Sequence, residues 1–316
     1  MATVGKFREA QRQKVKASIM IEGLQGSGKS GLALALAEVL ASSQEKIFAI
    51  DTENQSLDLF DKLRLHTGTV IDKFNKADLT VEDGYAPSNY EALRRTAIDA
   101  GAEVLIMDSI SHMWNRKGGL LDSVSEAQRA GMDNYRSWGT EKNRMEKELI
   151  FDLIRSHKVH TITTVRSKEK FGMEFVAETG KNKVVSLGEQ QIQQEGLKYE
   201  PDLVIRMISP GDTAGNAPVG LILKSRYAIF MTGTEYEFTD KLLNQLKEYL
   251  AEGADPDEIL VQQKQEYIDA VKEYCKGNAT RKSIWKSLKE GAGFADSIDD
   301  IPVEDLKNLY RKLIED

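Results

Sequence analysis

The octapeptide GLQGSGKS, Gly23 to Ser30, sets glycines at 23 and 28 ahead of Lys29 and Ser30, the spacing of G-x-x-x-x-G-K-[ST]. A loop that wraps a phosphate must turn its backbone N–H groups inward. Gly23, Gly26 and Gly28 allow the dihedrals and the close approach this requires. Lys29 then reaches the β- and γ-phosphates and Ser30 holds Mg²⁺. Ser27 and Gly31 belong to the same cradle, where a Leu- and Ala-rich helix begins and adds its positive end to the anion site. The chemistry is the binding of a nucleoside triphosphate.

Two further groups are needed: a carboxylate behind the metal and a base for an attacking water. Asp108 closes the apolar run of VLIMDS, where a buried strand would aim it at the phosphate loop. Glu53, in KIFAIDTEN, stands at the end of a second short apolar strand and is the candidate base. Its neighbour Asp51 could instead sit structurally. The four histidines do not cluster with Cys275 at zinc-ligand spacing, so no structural zinc is expected.

These residues need a scaffold. Strand-like and helix-like segments alternate from Ala17 to about Phe230, which predicts an α/β core with a mainly parallel central sheet. Helices are expected at Ser56 to Arg64, Asn89 to Ala100 and Glu141 to Ser156, and strands at Val104 to Met107 and Val159 to Val165. Asn115 to Thr140 reads as a loop rich in glycine. Arg166 to about Leu197 lacks a strong period and reads as a long functional loop. DLVIRMI and GLILKSRYAIF read as two late strands of a hairpin. Beyond Thr239 only helices are expected, with a hinge at EGADPDE. The expected domains are an N-terminal extension at 1–16, an ATPase core at 17–239 and a small C-terminal helical module at 240–316, with a core of Trp285, Leu288, Phe294, Ile301, Leu306, Leu309 and Leu313.

Composition narrows the class. The chain has 316 residues, 41% hydrophobic and 29% charged, as globular proteins do. It holds no run of 18 apolar residues and no signal-peptide pattern at its start. A single cysteine excludes an internal disulfide and suits a reducing cytoplasm. The net charge of −7 speaks weakly against a nucleic-acid binder, because such binding needs a local basic patch and not a basic chain.

In order, GLQGSGKS, FAIDTEN, VLIMDS, a β-branched strand, a long following segment, GLKYEPDLVIRM and LILKSR resemble the RecA-type recombinase ATPase core over about Ala17 to Phe230. More closely, the chain is similar to the compact RecA-like ATPases of bacteriophages that act in single-strand annealing and recombination. The resemblance implies a RecA-like P-loop fold, ATP and Mg²⁺ as ligands, and Glu53 as the catalytic base. It sets Phe60 near the adenine. It implies two DNA-binding segments, the first with Lys117, Arg129 and Arg136, the second with Lys168, Lys170, Phe171, Lys181 and Lys183. Basic residues with an interleaved aromatic suit single-stranded DNA. Where the family carries a polar amide that couples γ-phosphate to DNA, this chain has Arg166, which leaves phosphate sensing and DNA contact both open. Lys224 and Arg226 match a Lys-x-Arg pair that acts on a neighbour's nucleotide, which implies a homo-oligomeric ring or filament.

The resulting expectation is a DNA-stimulated, Mg²⁺-dependent ATPase that assembles on single-stranded DNA. Its location would be the cytoplasm, the host's if phage-encoded. A recombination protein is a candidate partner for the C-terminal module. Two alternatives stay open: a hexameric DNA translocase or helicase, and a nucleotide-dependent switch that acts on a protein without DNA. The segment KGNATRKSIWKSLK is locally basic, although a plain packing module is the favoured reading of the tail.

Overall fold

A computed structural model of the chain describes residues 12–155, 158–176, 181–194, 196–211, 216–294 and 297–315. Its contacts divide it into two compact units, Val15–Ala251 and a second formed by Met1–Lys14 with Glu252–Asp316.

The larger unit runs β1 (Ser18–Gly23), α1 (Lys29–Leu40), β2 (Ile47–Asp51), β3 (Leu63–Arg64), β4 (Val70–Ile71), β5 (Asn75–Asp78), α2 (Pro87–Asp99) and β6 (Val104–Asp108). It continues through α3 (His112–Asn115), α4 (Leu120–Arg129), α5 (Asn134–Trp138), α6 (Glu141–Ile154), β7 (His160–Val176), β8 (Lys181–Gln191), β9 (Leu203–Ser209), β10 (Val219–Ser225), β11 (Glu235–Glu237) and α7 (Asp240–Ala251). The central sheet has the order β11-β10-β9-β1-β7-β6-β2-β5. From β9 to β5 every neighbouring pair is parallel, and β10 and β11 join antiparallel at one edge.

Period-two alternation divides the core between the two faces of this sheet. Ile19 and Ile21 of β1 pack with α1 and with Leu243, Leu246 and Leu250 of α7, whereas Met20 packs with Tyr90 of α2 and with Ile150 and Leu153 of α6. All six residues of β1 are buried, as befits a parallel strand covered on both sides. At the strand's amino end the Ala17 N–H donates to Nδ1 of buried His160 at 2.9 Å, which ties β1 to the start of β7.

Four local expectations change. Ser56–Phe60 is a 3-10 turn followed by β3, not a helix through Arg64. The glycine-rich 115–140 region is mostly helical. Leu120 and Val124 share a buried face of α4, and the glycines bound the helices, with Gly119 ahead of α4 and Gly139 after α5. The long segment after Val165 is not irregular, because β7 runs on to Val176 and pairs antiparallel with β8 from Ser167↔Gln191 to Val176↔Lys181. Within this ribbon the partner of each strand is the other strand. Its sequence carries no clean period, which is why it reads as a loop. Finally, α7 packs with the ATPase core, although a boundary at 239/240 was expected to separate it. Its three buried leucines contribute about 1.5–3 kcal/mol each to that unit.

The smaller unit holds α8 (Pro256–Cys275), α9 (Ala279–Gly291) and α10 (Val303–Glu315). Ile268, Ile301, Leu306 and Leu309 form one apolar cluster and Val271, Cys275 and Leu313 another, with Trp285 and Leu288 touching both. The residues expected to form this core do so. Gly253, at φ +106, lies so close to the backbone of Arg12 that a Cβ would sit 2.6 Å from its carbonyl oxygen. No helix among the described residues is long and apolar enough to cross a membrane.

Candidate nucleotide site

Parallel strands deliver their carboxyl ends to one edge of the sheet, and the candidate residues gather there. Asp51 lies opposite Asp108, and Gly23 lies opposite Arg166, so β1, β2 and β6 end at this edge and β7 leaves the central sheet there. The loop of Gly23 to Ser30 leaves β1 and enters α1, whose N-cap is Gly28 in the left-handed region at φ 86, with no side chain capping the helix. A Cβ on Gly28 would also approach the backbone of Pro210 to 2.7 Å. Gly23 is glycine for a different reason. It has no positive φ, but a Cβ there would meet Oγ of Ser27 at 2.6 Å.

Lys29 is buried, and its Nζ donates to the carbonyls of Gly23 at 3.1 Å and Leu24 at 2.7 Å, which curls the loop around the ammonium. Burial lowers its pKa from the ordinary lysine value, against the pull of the Asp108 carboxylate. The Ser30 hydroxyl donates to Asp108 Oδ2 at 2.5 Å. The other carboxylate oxygen of Asp108 accepts from the Thr164 hydroxyl, so β7 fixes the rotation of a group that β6 presents. Thr52 ties the end of β2 to the same place, its N–H donating to the Asp108 carbonyl at 2.7 Å.

Among the described residues no group of three or more His, Cys, Asp or Glu could hold a metal by itself. A cation at this loop would take one hydroxyl and one carboxylate from the chain and the rest of its shell from phosphate and water. That donor set suits Mg²⁺, which keeps waters and binds through one or two protein groups plus substrate phosphates. The expected ligands Ser30 and Asp108 therefore fit the ion, and the uncapped helix start with its lysine fits a triphosphate.

Glu53 lies just beyond β2 and is partly buried. Asp51 positions it: one carboxylate oxygen accepts from the Glu53 N–H at 2.8 Å and the other from the Leu57 N–H at 2.9 Å, so both are engaged by backbone. Burial pushes the Asp51 carboxyl up to about 6, and nearby Asp108 adds to the rise. The Glu53 carboxylate is held by both arms of Arg166, with Nε at 2.6 Å from Oε1 and Nη2 on Oε2. Arg166 thus faces a carboxylate of its own site, a partner that sequence alone did not indicate. His112 stands 3.9 Å from Glu53 Oε1, beyond hydrogen-bond reach. Its ring nitrogens have no hydrogen-bond partner, and burial, helped by Arg116, lowers its pKa to about 4; the Thr52 backbone opposes that shift without closing a bond. Thr164, Thr52 and His112 were not singled out from sequence. Thr164 sits in TITTV, where a β-branched residue is what a strand requires in any case.

The remaining candidates are dispersed. Phe60 packs near the start of α1, its ring 3.6 Å from where a Gly31 Cβ would be. Lys224 and Arg226 are remote from the loop. Ser225 pairs with Leu203, which pairs in turn with Ile19 at the start of β1, so the two cations lie at the opposite edge of the sheet. Lys224 Nζ bonds to the carbonyls of Tyr199, at 2.5 Å, and Pro201, while Arg226 pairs with Asp202 at 2.8 Å. Lys117, Arg129 and Arg136 are exposed, the last two on α4 and α5 and Arg136 paired with Asp133. Lys168 is exposed on the β7–β8 ribbon. Lys170, Phe171, Lys181 and Lys183 belong to the strands of that ribbon, but their side chains lie outside the described residues.

The family model described as AAA domain matches residues 15–241, well over half of the chain. The chain therefore belongs to this family of P-loop ATPases. No curated protein matches it.

Proposed function

We propose that the chain is a RecA-like, Mg²⁺-dependent ATPase that assembles into a homo-oligomer on single-stranded DNA in phage-type recombination or annealing; the family supports the ATPase part, and the sequence resemblance the rest. The observation that carries the hydrolytic part is the meeting of Ser30 and Asp108 at 2.5 Å on the edge where Glu53 also ends. Lys29 neutralises phosphate charge, Ser30 and Asp108 hold the metal side of the nucleotide, and Thr164 keeps Asp108 in register. Mg²⁺, when bound, offsets charge on the phosphate oxygens. Glu53 orients a water, and takes its proton as the oxygen attacks the γ-phosphorus and the bond to the bridging oxygen of ADP breaks.

Glu53 can do this only when Arg166 releases it. Arg166 is the last residue of β7 paired to β1 before the strand leaves the sheet as the β7–β8 ribbon. DNA held along the basic positions of that ribbon displaces Arg166 and frees the base, which couples the two ligands. The remoteness of Lys224 and Arg226 from their own loop supports their action on a neighbour's nucleotide. The helical module would receive a recombination partner.

The test is steady-state ATP hydrolysis with and without single-stranded DNA at low salt, with Lys29→Ala as the blank. Stimulation of several-fold that fades as salt rises is expected. Hydrolysis indifferent to DNA would overturn the DNA part of the proposal and favour the protein-partner switch.

A further inference from the structure

Beyond this function, the smaller unit carries a feature of its own. A cleft of about 660 Å³ opens between the second half of α8, α9 and the segment around Ser297 and Ile298. Lys272, Lys276, Lys282, Lys286 and Lys289 line it, with Glu290 the one acidic lining residue among the described residues. On α9 the cleft residues Lys282, Trp285, Lys286 and Lys289 fall at i, i+3, i+4 and i+7, which is one helical face. Lys272 lies in the last turn of α8, and Lys276 directly follows the end of that helix at Cys275.

Such a face opposes folding. Like charges one turn apart on a helix repel, and here Lys282, Lys286 and Lys289 share one face of α9 while Lys272 and Lys276 line the other side of the same concavity. The Lys276 link to Glu273 and the Lys286 link to Glu290 are exposed pairs that offset little of this. The concentration is also contrary to the chain as a whole, whose net charge is −7. The floor is of another character. Trp285, partly buried, is anchored in both apolar clusters of the unit, so its ring is held in place between the lysines.

We propose that this cleft binds the backbone of single-stranded nucleic acid, with the lysines on phosphates and Trp285 offering a stacking face to a base. A row of cations from Lys282 to Lys289 extends about 10 Å along the helix, at 1.5 Å per residue, which suits successive phosphates of a polymer rather than one compact anion. A cationic groove with an aromatic inside it is the arrangement that binds single strands without sequence preference. Contact by the β7–β8 ribbon is not required, because the cleft lies wholly outside the ATPase core.

The experiment titrates a fluorescent oligothymidylate with the full chain in the absence of ATP, over a series of salt concentrations. Lys282→Gln with Lys286→Gln should weaken binding about tenfold and flatten the salt dependence of log K by about 0.7 for each lysine that had met a phosphate. Trp285→Phe should reduce the quenching of tryptophan emission by the oligonucleotide. The double variant should keep the wild-type basal ATP hydrolysis, so a failure of the core's DNA reading is distinguishable from a failure here. Should it unfold, Lys272→Gln with Lys276→Gln makes the same test from the other wall. Unchanged affinity and salt slope in the lysine variants would overturn the proposal, as would displacement of the oligonucleotide by a polyglutamate peptide of equal charge.

Discussion

Glu53 shows what a single residue can and cannot reveal. Its type and its place after a short apolar strand make it the candidate base, and Asp51 holds its backbone N–H with one carboxylate oxygen while the other takes the Leu57 N–H. Replacing the carboxylate with the isosteric amide, Glu53→Gln, removes the proton acceptor and the charge that Arg166 grips, yet leaves Lys29, Ser30 and Asp108 untouched. Nucleotide binding should persist and turnover should fall by about 10²–10⁴-fold, the range that general-base catalysis supplies. The phosphate loop was legible because its chemistry is contiguous: Gly28, Lys29 and Ser30 act within one turn of chain. The grip of Arg166 on Glu53 was not, since those residues are 113 positions apart and meet only once the strand order is known. Thr164 was hidden for a simpler reason, as its hydroxyl serves Asp108 from a strand that would favour threonine anyway.

At the scale of elements, strand ends position the site and strand beginnings anchor it. His160 opens β7 and accepts the Ala17 N–H, a role that needs Nδ1 unprotonated. Burial lowers its pKa to about 4 from 6.5, with nearby Lys16 acting in the same direction. The unfolded chain therefore takes up this proton more readily, and the stability that His160 contributes is present above pH 6.5 and lost as pH falls toward 4. His112 has the same sign. Asp51 runs the other way, since at about 6 against 3.8 its folded form holds the proton more tightly, and its share of stability declines as pH rises through that window. His160→Asn preserves an acceptor near the Nδ1 position and removes the titration. Thermal unfolding from pH 4 to 7 should show a shallower loss of Tm on acidification in the variant, whereas an identical profile would remove His160 from the account. The buried strands β1 and β6 were legible as unbroken apolar runs. The β7–β8 ribbon was not, because its two strands pair with each other beyond the central sheet and its sequence carries no strong period.

At the scale of the molecule, the sheet separates two sets of groups. The phosphate loop, Asp108 and Glu53 share the carboxyl edge, and Lys224 and Arg226 lie at the other end of the strands, which makes self-service within one chain geometrically impossible. If they act on a neighbour, Arg226→Ala and Lys29→Ala should each abolish most turnover, and mixing the two proteins should restore part of it. Full hydrolysis by Arg226→Ala alone would exclude the role in trans. The core of the smaller unit was readable from Trp285 to Leu313, since each helix shows an apolar face. The placement of α7 was not, because an amphipathic helix does not state which apolar surface will cover it.

The central claim is that this edge of the sheet hydrolyses ATP with Glu53 as the base. The most direct measurement compares ATP binding and steady-state phosphate release for the wild-type chain, Lys29→Ala and Glu53→Gln, in Mg²⁺ with single-stranded DNA present. The account expects turnover from the wild type, loss of binding in Lys29→Ala, and binding without turnover in Glu53→Gln. Wild-type turnover by Glu53→Gln would contradict it.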